Sequence, residues 1–237
     1  MSTISTPGNF VPPLPSPSIS ENVFANPAGD PSLTEVQGAL AACRSAVENA
    51  RAGALALLAN EMYSTGAKHV AADDFAFKCL RPALAATDRV AQRLAGEIRS
   101  LETKTAAPSP PRDVLAAEVR SRLSQMTPGA RSKAVATSIN DGDDILVAAL
   151  LSGPAMLSGA TQAEVDHARE QWRRARLPDD CRRLDELRKA QVHLQRAGAL
   201  TLAYQSKCSD PSIIAAAKES QRKADAAVAA ANAALMH

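Results

Sequence analysis

The chain has 237 residues, of which 49 are alanine, seven aromatic and eleven glycine, and its formal charge is +2. That balance excludes a β-sandwich or barrel, whose pleated faces draw on β-branched and aromatic side chains, and favours long helices, because alanine is the best intrinsic helix former. A charge so near zero argues against a nucleic-acid scaffold, an acidic tail or a supercharged surface.

Residues 1–31 hold seven of the fifteen prolines, and Pro12-Pro13-Leu14-Pro15-Ser16-Pro17 has the composition of polyproline II. This predicts an extended Pro-rich arm. Its apolar residues, Phe10, Val11, Leu14, Val23 and Phe24, are separated by prolines and polar residues and cannot form a core of their own. They are expected to pack against another chain, with Phe10 and Phe24 foremost. No Lys or Arg precedes Arg44 and no early apolar run occurs, so a secretory signal is not expected.

Residues 32–105 predict an N-terminal helical hairpin. Ser32 and Glu35 have the spacing of a capping box. Val36, Leu40, Cys43, Val47, Ala50, Ala54 and Leu57 then alternate in steps of four and three, a heptad seam expected to stop at Gly66. A second helix, capped by Asp73 or Asp74, carries Phe77, Leu80, Leu84, Thr87, Ala91, Leu94, Ile98 and Leu101 as its stripe. Pro82 should kink it or mark a late start.

Residues 106–178 predict a cluster of short helices. Ser109-Pro110-Pro111 reads as a cap with first-turn prolines, opening a helix with Val114, Leu115, Val119, Leu123 and Met126. Thr127-Pro128 starts another that ends near Asn140. Asp143-Asp144 caps Ile145 to Leu151, and Thr161 with Glu164 forms a capping box ahead of Val165, Ala168 and Trp172. Residues 179–237 predict a C-terminal hairpin, turned at Asp210-Pro211, whose last helix has a seam of Ile214, Ala217, Gln221, Ala224, Val228, Ala231 and Leu235. Residues 32–237 can also fold as a single domain. The expected class is all-α: two long antiparallel hairpins flanking a short-helix cluster, with the arm in front.

Arg51-Ala-Gly-Ala-Leu-Ala-Leu57 matches Arg196-Ala-Gly-Ala-Leu-Thr-Leu202 at six of seven positions, 145 residues apart. A duplicated hairpin would place Gly53 and Gly198 at close backbone contacts; chance in an alanine-rich chain is the competing explanation.

No phosphate loop, HExxH, GxSxG or dinucleotide fingerprint occurs, and no cofactor or metal is implied. Cys43, Cys79, Cys181 and Cys208 form no CxxC and have no His at ligand spacing, so they are expected to be free thiols in a reducing compartment. Asp141-Gly-Asp-Asp144 lacks the acceptor pattern of a calcium loop and is expected to be a turn and cap. His69 is expected in a loop and His167 and His193 on helices, with no catalytic partners. The uncharged stretch Ile145 to Ala163 is broken by Gly153-Pro154 and is not expected to span a membrane. Arg169 to Arg196 has nine basic and five acidic residues. Trp172, Arg173 and Arg174 within it are candidate contact residues, on a solvated or subunit-facing surface in preference to a nucleic-acid surface.

Gly142-Asp-Asp-Ile-Leu-Val-Ala-Ala-Leu-Leu-Ser-Gly-Pro-Ala-Met-Leu-Ser-Gly159, followed by Glu164-Val-Asp-His-Ala-Arg-Glu170, resembles a stretch in uncharacterised proteins of tailed-phage and prophage structural-gene clusters. The resemblance implies a virion component and carries over no functional residue. The resulting expectation is a non-enzymatic structural subunit of a phage particle, at the head, the head–tail connector or inside, assembled in the host cytoplasm. Its expected partners are other virion proteins or copies of itself. A cytosolic helical adaptor binding a partner helix and a DNA-contacting packaged protein are the alternatives.

Overall fold

The computed structural model describes residues 19, 23, 24, 26, 29–109 and 112–235. The chain is 85% helical, with eight α-helices and no strand among the described residues. The helices are α1 (Pro31–Ala59), α2 (Thr65–Lys104), α3 (Asp113–Ser124), α4 (Pro128–Asp141), α5 (Asp144–Leu151), α6 (Gln162–Arg176), α7 (Pro178–Tyr204) and α8 (Pro211–Leu235). Short 3-10 turns lie at Ala155–Ser158 and Gln205–Lys207. The all-α class with long helical hairpins is as expected, and α1 and α2 lie in close contact.

Two compact units result, and they cut across the segments drawn from the sequence. One holds the described residues up to Arg93 together with Lys189 onward; the other is Leu94–Arg188. The prolines at 106–111 and Pro178 mark helix ends, whereas the unit boundaries fall inside α2 and α7, after Arg93 and Arg188 and away from Pro82 and Pro178. A breaker marks where a helix stops. It does not mark where packing changes partner.

In the first unit the α1 seam is buried as its period requires: Val36, Leu40, Cys43, Val47, Ala50 and Ala54 are all inaccessible. Leu80, Ala83 and Thr87 of α2 and Leu194, Ala197 and Thr201 of α7 are buried in the same unit. The Thr87 hydroxyl donates to the Ala83 carbonyl at 2.9 Å, so its contact with Cys43 Sγ at 3.2 Å has the thiol as donor. In the second unit α5 packs against α3, α4 and α6. Leu123, Val147, Leu150, Val165 and Trp172 fill the space between them.

Several local expectations are corrected. The α1 cap is Asp30, which accepts from the Ser32 N–H at 2.9 Å with Pro31 as the first helical residue. An Asp-Pro start outcompetes the Ser32 box, and Glu35 instead pairs with Arg93 of α2. The α1 stop is at Asn60, six residues before Gly66, which sits in the first turn of α2. Ser64 begins α2 by accepting from Ala67, so Asp73, Asp74 and His69 lie inside the helix. Pro82 is also internal, and α2 continues through it. Arg112, with no side-chain capping bond, precedes α3. Val114, Leu115 and Met126 are exposed while Ala116 and Leu123 are buried, a face shifted from the expected one. Pro110 and Pro111 lie outside the described residues.

Three of the other caps are as expected. Thr127 accepts from Ala130, Asp143 from Ile145, and the Thr161–Glu164 box is complete in both directions. Gly142 ends α4 at φ +85°, a conformation that costs glycine little and makes Asp141–Asp144 the expected turn and cap. No helix among the described residues is long and apolar enough to cross a membrane.

Candidate interaction surface

The arginine-rich segment is laced into ion pairs. Arg169 pairs with Asp166, Arg174 with Glu170 and Arg182 with Asp179, each at 2.7 Å along its own helix. Arg183 reaches Glu97 at 2.8 Å, Arg188 reaches Glu102 at 2.7 Å, and Lys104 of α2 reaches Asp180 at 2.7 Å. Arg174 is further held in its charged form by its bond to Glu170. Carboxylates of the segment and of α2, together with Asp166, thus pair much of its charge within the chain.

Trp172 is not a surface residue. It is 5% exposed, and its indole N–H donates to Asp144 Oδ1 at 3.0 Å, where Arg176 Nε also donates at 3.1 Å. Arg173 is largely covered and lies 3.8 Å from Glu170. Of the three contact candidates here, Arg174 alone projects into solvent. An aromatic at a helical core spacing is core first, and Trp172, two turns after Val165 on the Val165–Ala168 stripe, obeys that rule.

Gly53 and Gly198 are both used inside the first unit. A Cβ on Gly53 would lie 2.0 Å from Phe75 Cε1, and one on Gly198 would lie 3.3 Å from Thr87 Cγ2. Both therefore bring a helix against α2. The two matching heptapeptides nevertheless bury different faces. Ala54 is buried in the first copy, whereas Ala197 and Thr201 are buried in the second. Their counterparts Ala199, Ala52 and Ala56 are exposed, so the match does not repeat a packing unit.

The arm also behaves differently from expectation where it is described. Ile19 and Phe24 are buried at 3% and 8% exposure within their own chain. Arg44 of α1 clasps the Ile19 carbonyl through Nε and a terminal nitrogen at 3.2 and 2.8 Å. Phe24 is thus buried within its own chain and needs no second chain to cover it. Phe10, Val11 and Leu14 lie outside the described residues.

What the first unit leaves uncovered is apolar. Phe77, Leu80, Leu84, Ala85 and Leu202 line a groove of about 210 Å³ between α2 and α7. Leu202 and Gln205 also border a wider depression of about 450 Å³, closed on its far side by Pro211, Ile214 and Ala215 of α8. Phe77 and Leu202 are 45% and 62% exposed, although Phe77 belongs to the stripe expected to be buried on α2. Beyond Glu219, every described side chain of α8 through Ala234 is exposed, including Val228. Among the described residues, the terminal alanine seam is uncovered beyond Ile214 and Ala217.

Polar groups at the α7–α8 turn are structural. The His69 Nδ1 accepts the Asp210 N–H at 2.9 Å, and Asp73 accepts from Gln205 and Ser209, each at 3.4 Å. Asp210 in turn caps α8 through Ser212, which holds its carboxyl below the usual range. Burial, reinforced by Asp73 and Cys79, pushes the Cys208 thiol up to about 11. All four cysteines are free, Cys43 and Cys208 buried and the other two partly so. Among the described residues no group of His, Cys, Asp and Glu could hold a metal ion. His69 carries no mark in the sequence to show that it braces a turn 141 residues away, because that contact depends on long-range pairing.

No family model, curated protein or solved structure matches the chain.

Proposed function

We infer that this chain is a non-enzymatic structural subunit of a tailed-phage particle, joined to its neighbours through helix faces. The observation that supports this reading is α8, whose exposed residues 220–234 end in a run from Ala226 to Leu235 without a charged side chain. A helical run with no charge and no cover among the described residues is suited to burial by another chain. The internal pairing of the arginine-rich segment favours protein contact over DNA contact, since phosphate binding draws on clustered free cations. The resemblance of residues 142–170 to phage structural-gene products supplies the kind of assembly.

The test is particle composition. Particles released from cells carrying the gene are banded on a density gradient, and their proteins are identified by mass spectrometry. The chain should band with the particles at a fixed ratio to the major capsid protein, and a chain truncated after Glu219 should stay in the soluble fraction. Particles with full infectivity that contain none of the chain would refute the reading.

A further inference from the structure

We propose that residues 220–235 of α8 dock in the trough between α2 and α7 of a second copy of this chain, and that the exchange is reciprocal. This deepens the assembly reading: it rests on the same exposed helix and names what covers it.

The first argument is the course of α8. The Asp210 N–H donates to His69, the Ser209 hydroxyl donates to Asp73, and a Cβ on Gly66 would stand 2.9 Å from that of Ala217. As α8 advances, its contacts move back toward the first turn of α2, so the two helices run antiparallel. Past Ala217, α8 leaves the start of α2 behind, and residues 220–235 project over about 24 Å. The groove lined by Phe77, Leu84 and Leu202 lies the other way, farther along α2. The chain's own α8 therefore leads away from the groove, whereas the α8 of another copy can enter it. The wider depression shares Leu202 and Gln205 with the groove, so the two form one trough along α2 and α7.

The second argument is register. A twofold axis level with Gly66 turns the α8 of a second copy parallel to α2 and keeps its Ala217 at that level. Each step along that α8 then matches one step along α2. Val228, Ala231 and Leu235 of the second copy fall level with Phe77, Leu80 and Leu84 of the first. Both sets have the three-then-four spacing by which parallel helices pack side by side. The symmetry closes the contact, since two tails fill two troughs and no open end remains.

The third argument is charge. Residues 220–235 carry only Arg222, Lys223 and Asp225, two positive charges and one negative. In this register all three arrive within a turn of Asp73 and Asp74, and Asp73 lines the trough. A net positive entry thus meets two carboxylates, while the uncharged run from Ala226 onward meets the apolar wall.

The test is photo-crosslinking in the full-length chain with Val228→p-benzoylphenylalanine, using a mixture of unlabelled and ¹⁵N-labelled copies. Adducts are expected within residues 73–84 or 202–205, joining peptides of different copies, in a species that light scattering sizes as a dimer. Leu202→Glu, at an exposed position, should lower their yield below saturation roughly tenfold, since association would bury a carboxylate without a partner. Phe77→Glu serves as a second variant, and unchanged circular dichroism shows that each still folds. Adducts mainly within one copy, adducts on the α8 of another copy, no adducts, or yields unmoved by both variants would overturn the proposal. A chain that bands with particles yet gives none of the expected adducts overturns the exchange and leaves the assembly reading standing. The expected adducts from a chain absent from fully infectious particles do the reverse.

Discussion

Gly53→Ala tests how α1 and α2 meet. A Cβ at Gly53 would stand 2.0, 2.5 and 2.6 Å from three atoms of the Phe75 ring, so alanine cannot enter unless the ring leaves. The ring is free to leave, being 39% exposed, but it gives up its buried part. Losing roughly half or more of a full phenylalanine burial costs about 1–2 kcal/mol. Alanine in place of a mid-helix glycine returns about 1 kcal/mol, so the single variant should be destabilised by up to about 1 kcal/mol. With Phe75→Ala already present the slot is empty, and the same Gly53→Ala should stabilise by nearly the full propensity term. Urea denaturation of the four proteins should therefore give a coupling of about 1.5 kcal/mol. Gly38→Ala, where nothing lies within 4 Å, is the internal standard and should stabilise in either background. If Gly53→Ala stabilises as much as Gly38→Ala and the coupling stays below about 0.5 kcal/mol, the close packing of Phe75 on the α1 backbone is wrong.

Arg131→Met should cost roughly 2–4 kcal/mol by urea denaturation, because Arg131 is 5% exposed and donates to the carbonyls of Leu123 and Ser158 at 3.2 and 3.1 Å, which methionine leaves unmet. A loss below about 1 kcal/mol would mean those carbonyls find other donors. Glu164, whose carboxyl is held below its ordinary range chiefly by the Thr161 backbone N–H, contributes stability at higher pH that is lost as the pH falls through its folded value. Glu164→Gln should flatten that acid limb, and an unchanged profile would contradict the capping role. Cys208, at about 11, should resist iodoacetamide at pH 8 in the native protein, where such a thiol is only about 0.1% thiolate. Rapid native labelling at Cys208, read by mass spectrometry, would show that its site opens.

Periodicity and capping chemistry were readable where they act locally. The α1 seam, the Thr127, Asp143 and Thr161 caps and the Gly142 turn depend on neighbours within a few residues, and each is found as expected. Errors arose where two local signals competed. Asp30-Pro31 prevails over Ser32–Glu35 because proline presets the first helical φ, and Gly66, expected as a stop, lies in the first turn of α2, where a Cβ would stand 2.9 Å from that of Ala217 of α8. The contact candidates fared unevenly for a related reason. Phe24 and Trp172 are large apolar residues, and burial within the chain claims such residues before any partner does. The groove was not readable at all, because Phe77 belongs to the α2 stripe and a period cannot tell a seam that is filled from one that stays open.

α8 shows what an unfilled seam implies for order. Its first half has support: Ile214 is buried, Glu219 pairs with Arg222 at 2.7 Å, and Gln221 bonds Asp225 at 2.8 Å. Such one-turn pairs add about 0.2–0.5 kcal/mol each. From Ala226 onward no described side chain is buried and no residue through Leu235 carries a charge, so helix propensity alone favours the helix. Alanine propagates a helix only marginally in water, and isolated segments shorter than about 12–15 residues fray. Amide hydrogen exchange should therefore show residues 226–235 exchanging within seconds in the monomeric chain, while Val36 to Val47 in α1 remain protected. Association that covers Ala227, Val228 and Ala231 would remove that fraying and slow exchange there selectively. Strong protection of 226–235 in a chain shown to be monomeric by light scattering would refute the argument, because it would require a cover for α8 within the same molecule.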